Sequence, residues 1–378
     1  MIPVMRPLLG DAEAAALAEV IASGWVAQGP RVAEFERRFA EHVGAAEGVA
    51  VSSCTTALHL ALYVLGVGPG DEVVVPSFSF IASANAVRYC GATPVFADVD
   101  PATGNITADT VGPVLSARTK VVMAVHQGGV PADVAALRTL CGDIPVLEDA
   151  ACAAGSTYRD GHVGAGAPLA AWSFHPRKLL TTGEGGMVTT DDPRLAARLR
   201  RLREHGMSVS AADRHAAGKP VVEQYLETGF NYRMTDLQAA VGIVQLGRLP
   251  GMVARRRELA ARYHELLAGV RGVRAVHDPA HGTTNYQAFW VELPDQVGQS
   301  DVLAALAASG VSARRGIMAA HLEPAYADAA HVPLPVTERL TRRTVILPLH
   351  HELAPWQQDL VVQTLVAAIG AVPTSATV

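Results

Sequence analysis

The sequence predicts an α/β protein in which a large domain with a mainly parallel sheet is followed by a smaller α/β domain. Between about residues 49 and 190, short apolar runs alternate with helical stretches, a pattern typical of a parallel sheet covered by helices on both faces. The length of 378 residues exceeds what one hydrophobic core usually organises. We therefore expect two domains, 1–250 and 251–378.

The large domain is predicted to begin with two helices and to continue with the strands of the sheet. Apolar residues recur at intervals of three and four over residues 11–23 and 32–43, which indicates an amphipathic helix in each segment. Short apolar runs predict the strands, at residues 49–51, 72–75, 93–97, 120–125, 145–148, 169–174 and 187–190.

The second half of the chain carries the signals of further helices and of a second, smaller sheet. Thr235 and Gln238 have the spacing of a capping box, which predicts that a helix begins after Thr235. A separate long helix is expected at residues 252–268, leading out of the large domain. Beyond it the pattern predicts strands and helices in alternation, with strands at 285–293, 311–314 and 344–347 and helices at 300–309 and 354–369.

Composition and charge exclude several classes of partner. The chain has 31 Lys and Arg against 36 Asp and Glu, a net charge of −5, which gives no electrostatic reason to expect nucleic acid or an anionic membrane. No apolar run approaches the ~20 residues of a membrane span, and the N-terminal residues lack a signal-peptide pattern. The four cysteines show no metal-ligand spacing and suit free thiols. We expect a cytoplasmic protein without a metal site.

Lys178 is the residue that most directly indicates chemistry. It lies between the apolar run 169–172 and the Thr- and Gly-rich segment 181–186, where the chain leaves a predicted buried strand. An isolated lysine is usually a solvated surface charge, but at a strand end its amine would face a cleft. Partial desolvation there disfavours the charged form, lowers the pKa and makes the amine a better nucleophile toward an aldehyde or ketone. The position therefore predicts Schiff-base chemistry.

Three polar segments follow predicted strands and are expected to meet at one edge of the sheet. They are residues 52–56, 148–149 and 173–178. Ligands of parallel sheets lie at the carboxyl ends of the strands. The segment 52–56 also precedes a predicted helix, whose free backbone N–H groups and positive dipole end favour a phosphate. One pocket could therefore collect all three segments.

Several ordered motifs over most of the chain resemble those of the DegT/StrS-type sugar aminotransferases, which are pyridoxal-phosphate enzymes of fold type I. The motifs are Gly24-Trp25, residues 52–58 (SSCTTAL), 148–151 (EDAA), 173–186 (SFHPRKLLTTGEGG), 231–236 (NYRMTD) and 347–350 (LPLH). The resemblance implies a fold type I aminotransferase with a large cofactor domain, a smaller C-terminal α/β domain and pyridoxal 5'-phosphate as cofactor.

The resemblance also implies two catalytic residues and a partner for the cofactor ring. Lys178 would hold the cofactor aldehyde as a Schiff base, and Asp149 would keep the pyridine nitrogen protonated. Position alone would also allow Asp149 to cap a following helix. Phe80 matches the aromatic residue that stacks on the ring, although an aromatic there could equally pack in the core. Cys152 stands where relatives often carry Gln or His near the ring hydroxyl, and offers only a weak donor.

The remaining cofactor contacts concern the phosphate. Thr55 and Thr56 match the family's phosphate seat, where Cys54 replaces a frequent glycine and Thr56 a frequent alanine. Ser173 matches a further phosphate contact and would otherwise be an ordinary strand serine. Asn231 matches an asparagine that reaches the phosphate of the neighbouring subunit, which implies a homodimer with shared active sites.

Transamination is the expected reaction, because relatives that remove a sugar hydroxyl carry histidine in place of the lysine at position 178. The resemblance implies glutamate as amino donor and a keto-deoxysugar on a nucleoside diphosphate as acceptor, a step of deoxyaminosugar biosynthesis. A cyclitol ketone or another secondary-metabolite ketone is the alternative acceptor, and a non-transaminating enzyme of the same fold is the alternative class. A nicotinamide-dependent dehydrogenase is disfavoured because its GxGxxG fingerprint is absent.

Overall fold

The computed structural model describes residues 1–210, 214, 217, 218 and 220–370. Residues 371–378, the end of the predicted second domain, lie outside the described residues. No described helix is both long and apolar enough to cross a membrane.

A seven-stranded sheet forms the centre of the large part of the molecule, with the strand order β1-β9-β8-β5-β4-β2-β3. All neighbouring strands are parallel except β9, which runs antiparallel to β1 and β8. This confirms the predicted fold class, and each predicted strand of this sheet is present. The strands are β1 (Glu47–Val51), β2 (Glu72–Pro76), β3 (Thr93–Ala97), β4 (Thr119–Val125), β5 (Val146–Asp149), β8 (Leu169–Ser173) and β9 (Gly186–Thr190).

Helices cover this sheet, and their ends follow local sequence signals. Pro30 occupies the first turn of α2, and Gly24 and Gly44 end α1 and α2 with φ values of 74° and 79°, which glycine adopts without strain. The helices are α1 (Asp11–Ser23), α2 (Pro30–Val43), α3 (Cys54–Val64), α4 (Ala82–Tyr89), α5 (Ala108–Val111), α6 (Val134–Cys141) and α7 (Pro193–Leu202).

The helix α8 (Asp236–Leu267) corrects one prediction, because it is a single helix of 32 residues where the sequence suggested two. Thr235 and Gln238 form the predicted capping box at its start. Pro250 lies inside the helix, and the buried stripe continues past it through Leu249 and Met252. Packing of that stripe outweighs the hydrogen bond that the proline removes. The helix also spans residue 250, the expected domain boundary.

The second sheet has four antiparallel strands in the order β10-β12-β14-β13, and the remaining short strands pair as β11-β6-β7. Its core includes Ile2, so the start of the chain packs with residues from 259 onward. The strands are β6 (Thr157–Tyr158), β7 (Gly161–His162), β10 (Arg274–Ala275), β11 (Gly282–Thr283), β12 (Phe289–Glu292), β13 (Arg314–Arg315) and β14 (Thr344–Leu347). The helices are α9 (Gln299–Ala308), α10 (Pro335–Arg343) and α11 (Pro355–Gly370).

Candidate active site

A cavity of about 400 Å³ lies at the carboxyl ends of β5 and β8, beside the start of α3 and against β13 and β14 of the second sheet. The three polar segments predicted to meet do line it together. Of the predicted site residues, the structure brings five to its wall: Thr55, Phe80, Asp149, Ser173 and Lys178. Residues as far apart in sequence as Thr55 and Lys178 therefore share one pocket, as the parallel sheet requires.

Lys178 is held in a fixed turn directly after β8. Its backbone N–H donates to the carbonyl of His175 at 2.8 Å. Gln287 forms hydrogen bonds with both sequence neighbours of Lys178. Its Oε1 accepts from Leu179 N at 2.9 Å, and its Nε2 donates to Arg177 O at 2.6 Å. The amine Nζ donates to Cys152 Sγ at 3.1 Å. The lysine thus points at the residue that replaces the family's frequent Gln or His.

The pKa of Lys178 shifts in the direction opposite to the sequence prediction. Burial acts to lower its pKa, as predicted, but attraction to Cys152, the hydrogen bond to that thiol, and the charges of Cys54 and Asp149 outweigh burial and raise the pKa above its usual value. The expected depressed pKa is therefore wrong for the free amine. Acidic groups supplied by distant segments reverse the effect of desolvation, and the local sequence contains no sign of them.

Asp149 is the last residue of β5 and is only 4% exposed. Its Oδ2 accepts from Ser83 Oγ at 2.8 Å, and its Oδ1 accepts from Ala151 N at 3.2 Å. No helix follows it, since residues 150–156 form turns, so Asp149 does not cap a helix. Burial raises the pKa of this carboxyl, and the bond from Ser83, the bond from Ala151 and the charge of Lys178 act in the opposite direction. A buried carboxylate facing the cavity suits a cationic N–H of a bound ring.

The start of α3 suits a phosphate. The Ser53 side chain accepts from Thr56 N at 3.2 Å, whereas the first two amides of the helix, at Cys54 and Thr55, meet no acceptor in the part of the chain the structure describes. Free amides at a helix start bind anions. A Cβ on Gly186 would lie 2.4 Å from the carbonyl group of Ser53, so glycine there lets β9 approach the seat.

Thr56 contributes to this seat differently from Thr55. Its Oγ1 donates to the carbonyl of Ser53 at 2.8 Å and accepts from Ser53 N at 3.1 Å, completing the capping box. Among the described residues, Thr55 lines the cavity and Thr56 does not. The structure therefore places Thr56 as a residue that shapes the start of α3.

Phe80 and Ser173 both line the cavity, Phe80 with an exposed ring and Ser173 as the buried end of a strand. Phe80 is 55% exposed and lines the cavity, which does not fit the alternative of core packing. Ser173 ends β8 and lines the same cavity near Lys178. A flat apolar face and a hydroxyl are thus available beside the lysine.

Asn231 lies outside the cavity of its own chain. It is exposed, it forms a β-bridge with Glu204, and it stands just before α8. The neighbouring Asp236 is buried and accepts from the N–H groups of Gly29 at 2.8 Å and Val32 at 2.9 Å, so this part of the NYRMTD motif caps α2.

Sequence reasoning missed several residues of the site. No sequence pattern marks Ser83 as a site residue, because its role depends on the hydrogen bond to Asp149, which lies 66 residues away in the chain. Gln287 and Arg314 come from the second half of the chain and line the cavity. Arg177 was part of the lysine motif, and a second cation next to Lys178 in the sequence was the available signal.

The order of these parts along the chain agrees with a known family. The model of the DegT/DnrJ/EryC1/StrS aminotransferase family matches residues 7–366. The chain belongs to this family. It is a fold type I aminotransferase that depends on pyridoxal phosphate.

Three solved structures illustrate the similarity. The aminotransferase TlmJ from Streptoalloteichus hindustanus is 41% identical, with a TM-score of 0.91 over 98% of this chain and 99% of that one. The putative sugar aminotransferase Spr1654 from Streptococcus pneumoniae, in its PMP form, is 27% identical with a TM-score of 0.92, over 99% and 100%. DesI, solved in the presence of its TDP-sugar product, is 33% identical with a TM-score of 0.88, over 98% and 93%.

Proposed function

We propose that this aminotransferase moves an amino group from glutamate to a keto-deoxysugar carried on a nucleoside diphosphate. The observation that carries the proposal is the cavity in which the Lys178 amine, the Asp149 carboxylate and the free amides of α3 converge. The relative DesI, solved with a TDP-sugar product, supports the class of acceptor.

The residues of the cavity have different roles, which follow from the chemistry of their side chains. Pyridoxal phosphate supplies an aldehyde that takes up amino groups and a protonated ring that draws electrons from the reacting carbon. Asp149 would hold the proton on the ring nitrogen, because a buried carboxylate stabilises a cation bound beside it. The amides of Cys54 and Thr55, with the hydroxyls of Thr55 and Ser173, bind the phosphate. The ring of Phe80, which lines the same cavity, would pack against the cofactor ring.

Lys178 has two tasks in this proposal. Its Nζ would hold the aldehyde of the cofactor, and as a free amine it would accept a proton from the substrate carbon and donate it back. The neighbouring Cys152 accepts a hydrogen bond from Nζ at 3.1 Å and so orients the amine toward the cavity. A side chain without a titratable amine at this position could do neither.

We also propose a cytoplasmic homodimer with shared active sites. Asn231 is exposed and lies away from the cavity of its own chain, where it is free to reach the phosphate of a second subunit. The four cysteines are free thiols, which suits a reducing compartment.

To test the proposal, purified and cofactor-loaded protein is incubated first with glutamate and then with a panel of ketones. Glutamate should convert the cofactor from its aldehyde to its amine form, read by absorbance, and a nucleotide-linked ketosugar should restore the aldehyde form. Lys178→Ala is the negative control. If only a cyclitol ketone restores the aldehyde form of the cofactor, the proposed acceptor is wrong. If glutamate does not produce the amine form, the proposed donor is wrong.

A further inference from the structure

Two arginines lie at the opening of the active-site cavity. Arg177 precedes Lys178 in the turn after β8, and Arg314 begins β13 in the second sheet. Both line the cavity of Lys178, and both are exposed. Two separate parts of the fold thus bring positive charge to the same opening.

Neither arginine forms an ion pair with a residue that the structure describes. By contrast, the next residue of β13, Arg315, pairs with Glu323 at 3.5 Å and does not line the cavity. Burial, together with repulsion from Arg177 and Arg315, lowers the pKa of Arg314. Two unneutralised guanidinium groups near one another are stabilised when an anion binds between them.

Neither of the two described acids that line the cavity, Asp149 and Glu184, forms an ion pair with Arg177 or Arg314. Glu184 lies near His175, with 3.7 Å between His175 Nε2 and Glu184 Oε1. Asp149 accepts from Ser83 deep in the cavity and is assigned to the cofactor ring. Neither lining carboxylate therefore neutralises Arg177 or Arg314 through an ion pair in the part of the chain that the structure describes.

The backbone of both arginines is fixed before any ligand arrives. The carbonyl of Arg177 accepts from Gln287 Nε2 at 2.6 Å, and its N–H donates to His175 Nδ1 at 3.1 Å. Arg314 pairs with Ile346 of β14. A fixed backbone reduces the entropy lost when the two side chains close on an anion.

The position of the arginines distinguishes the anions of the two substrates. The α-carboxylate of glutamate is bonded to the carbon that reacts, so it must lie inside the cavity close to Lys178. In a nucleotide-linked ketosugar the sugar ring separates the diphosphate from the reacting carbon. When the ketone reaches Lys178, the diphosphate lies farther out, where Arg177 and Arg314 are exposed.

We propose that Arg177 and Arg314 bind the diphosphate of the acceptor and so select nucleotide-linked ketones over neutral ones. This assignment rests on the proposed function, because it requires an acceptor that carries a diphosphate. Bidentate contacts from guanidinium groups to phosphate oxygens give both affinity and orientation.

Inorganic pyrophosphate is the probe, titrated calorimetrically into cofactor-loaded protein, in which the phosphate seat at α3 is filled. Arg177→Gln and Arg314→Gln should each weaken its binding by about tenfold or more, because each removes a charged hydrogen-bond donor. The matched control Arg315→Gln, which changes the adjacent paired arginine, should bind pyrophosphate as the wild type does. Raised salt should weaken binding to the wild type.

Glutarate, which resembles the donor without its amino group, provides the second arm. If glutarate binding falls in Arg177→Gln and Arg314→Gln while pyrophosphate binding does not, the pair serves the donor and the proposal is overturned. Equal pyrophosphate binding in the wild type, the two test variants and the Arg315→Gln control overturns it as well. Conversion of the cofactor by glutamate is measured separately, so a failure of the proposed transamination is distinguished from a failure of the arginine assignment.

Discussion

Replacement of Asp149 by Asn separates the catalytic contribution of this carboxylate from its effect on stability. The amide has nearly the same shape, so its Oδ1 can still accept from Ala151 N and its Nδ2 can donate to Ser83 Oγ, whose proton then goes to Ser79 Oγ at 2.9 Å. Packing should therefore survive. The amide cannot keep the cofactor ring protonated, so transamination should fall.

The size of the rate loss follows from the contact that disappears. A hydrogen bond to a charged group in a buried site is worth about 1.5–3 kcal/mol. Lost from the transition state alone, that energy corresponds to a rate decrease of roughly 10- to 150-fold. Loss of the ring proton weakens electron withdrawal further, so we expect a decrease of about a hundredfold or more.

The stability of the cofactor-free protein should change in the opposite direction. Burial raises the pKa of Asp149, so the folded state favours the protonated carboxyl, and the wild type loses stability as pH rises from the ordinary Asp range through that raised pKa. Asparagine does not titrate. Asp149→Asn should therefore melt at an equal or higher temperature at neutral pH, and this advantage should shrink as pH falls toward 4.

Three measurements check the argument: single-turnover rates with glutamate, melting temperatures across pH without cofactor, and the rise in melting temperature on adding cofactor. The rise should be smaller in Asp149→Asn, because the bound ring no longer meets a carboxylate. Near-normal rates would show that another acid holds the ring nitrogen. A clear loss of stability at neutral pH without cofactor would show that the carboxylate is needed for folding.

Three further predictions concern the lysine, the phosphate seat and the subunit arrangement. Lys178→Ala should reduce turnover by several orders of magnitude while the protein stays folded, and an unchanged rate with the same substrates would rule out this lysine. Gly186→Ala should weaken cofactor binding in equilibrium titrations, because its Cβ would lie 2.4 Å from the Ser53 carbonyl, whereas the control Gly247→Ala meets nothing within 4 Å and should bind normally. Mixed dimers of inactive Lys178→Ala and Asn231→Ala subunits should regain one working site, and verified subunit exchange without recovered activity would contradict a shared site.

The large sheet could be predicted closely because its evidence is local. Each strand is an apolar run bounded by turn residues, and capping signals such as Thr235 with Gln238 mark a helix start without reference to the rest of the fold. The helix α8 was harder, since Pro250 and Gly251 suggest a break that long-range packing overrides.

The active site could be predicted only as far as its own motifs reach. Lys178, Asp149, Thr55, Ser173 and Phe80 each follow or adjoin a recognisable segment, and the sheet brings them together. The partners that tune them come from elsewhere, since Ser83 reaches Asp149 by a hydrogen bond across 66 residues. No sequence pattern near Ser83 or Asp149 indicates that contact.

The sequence by itself determined the order of strands and helices, the family motifs and the choice of Lys178 as the candidate Schiff-base lysine, because these depend on residues that are neighbours in the chain. Tertiary structure decided the direction of the pKa shift of Lys178, the hydrogen bonds of Asp149, and the meeting of Arg177 with Arg314 at the cavity opening. Electrostatic energy depends on distance in space and on burial. Both are settled only when segments far apart in the chain pack against one another.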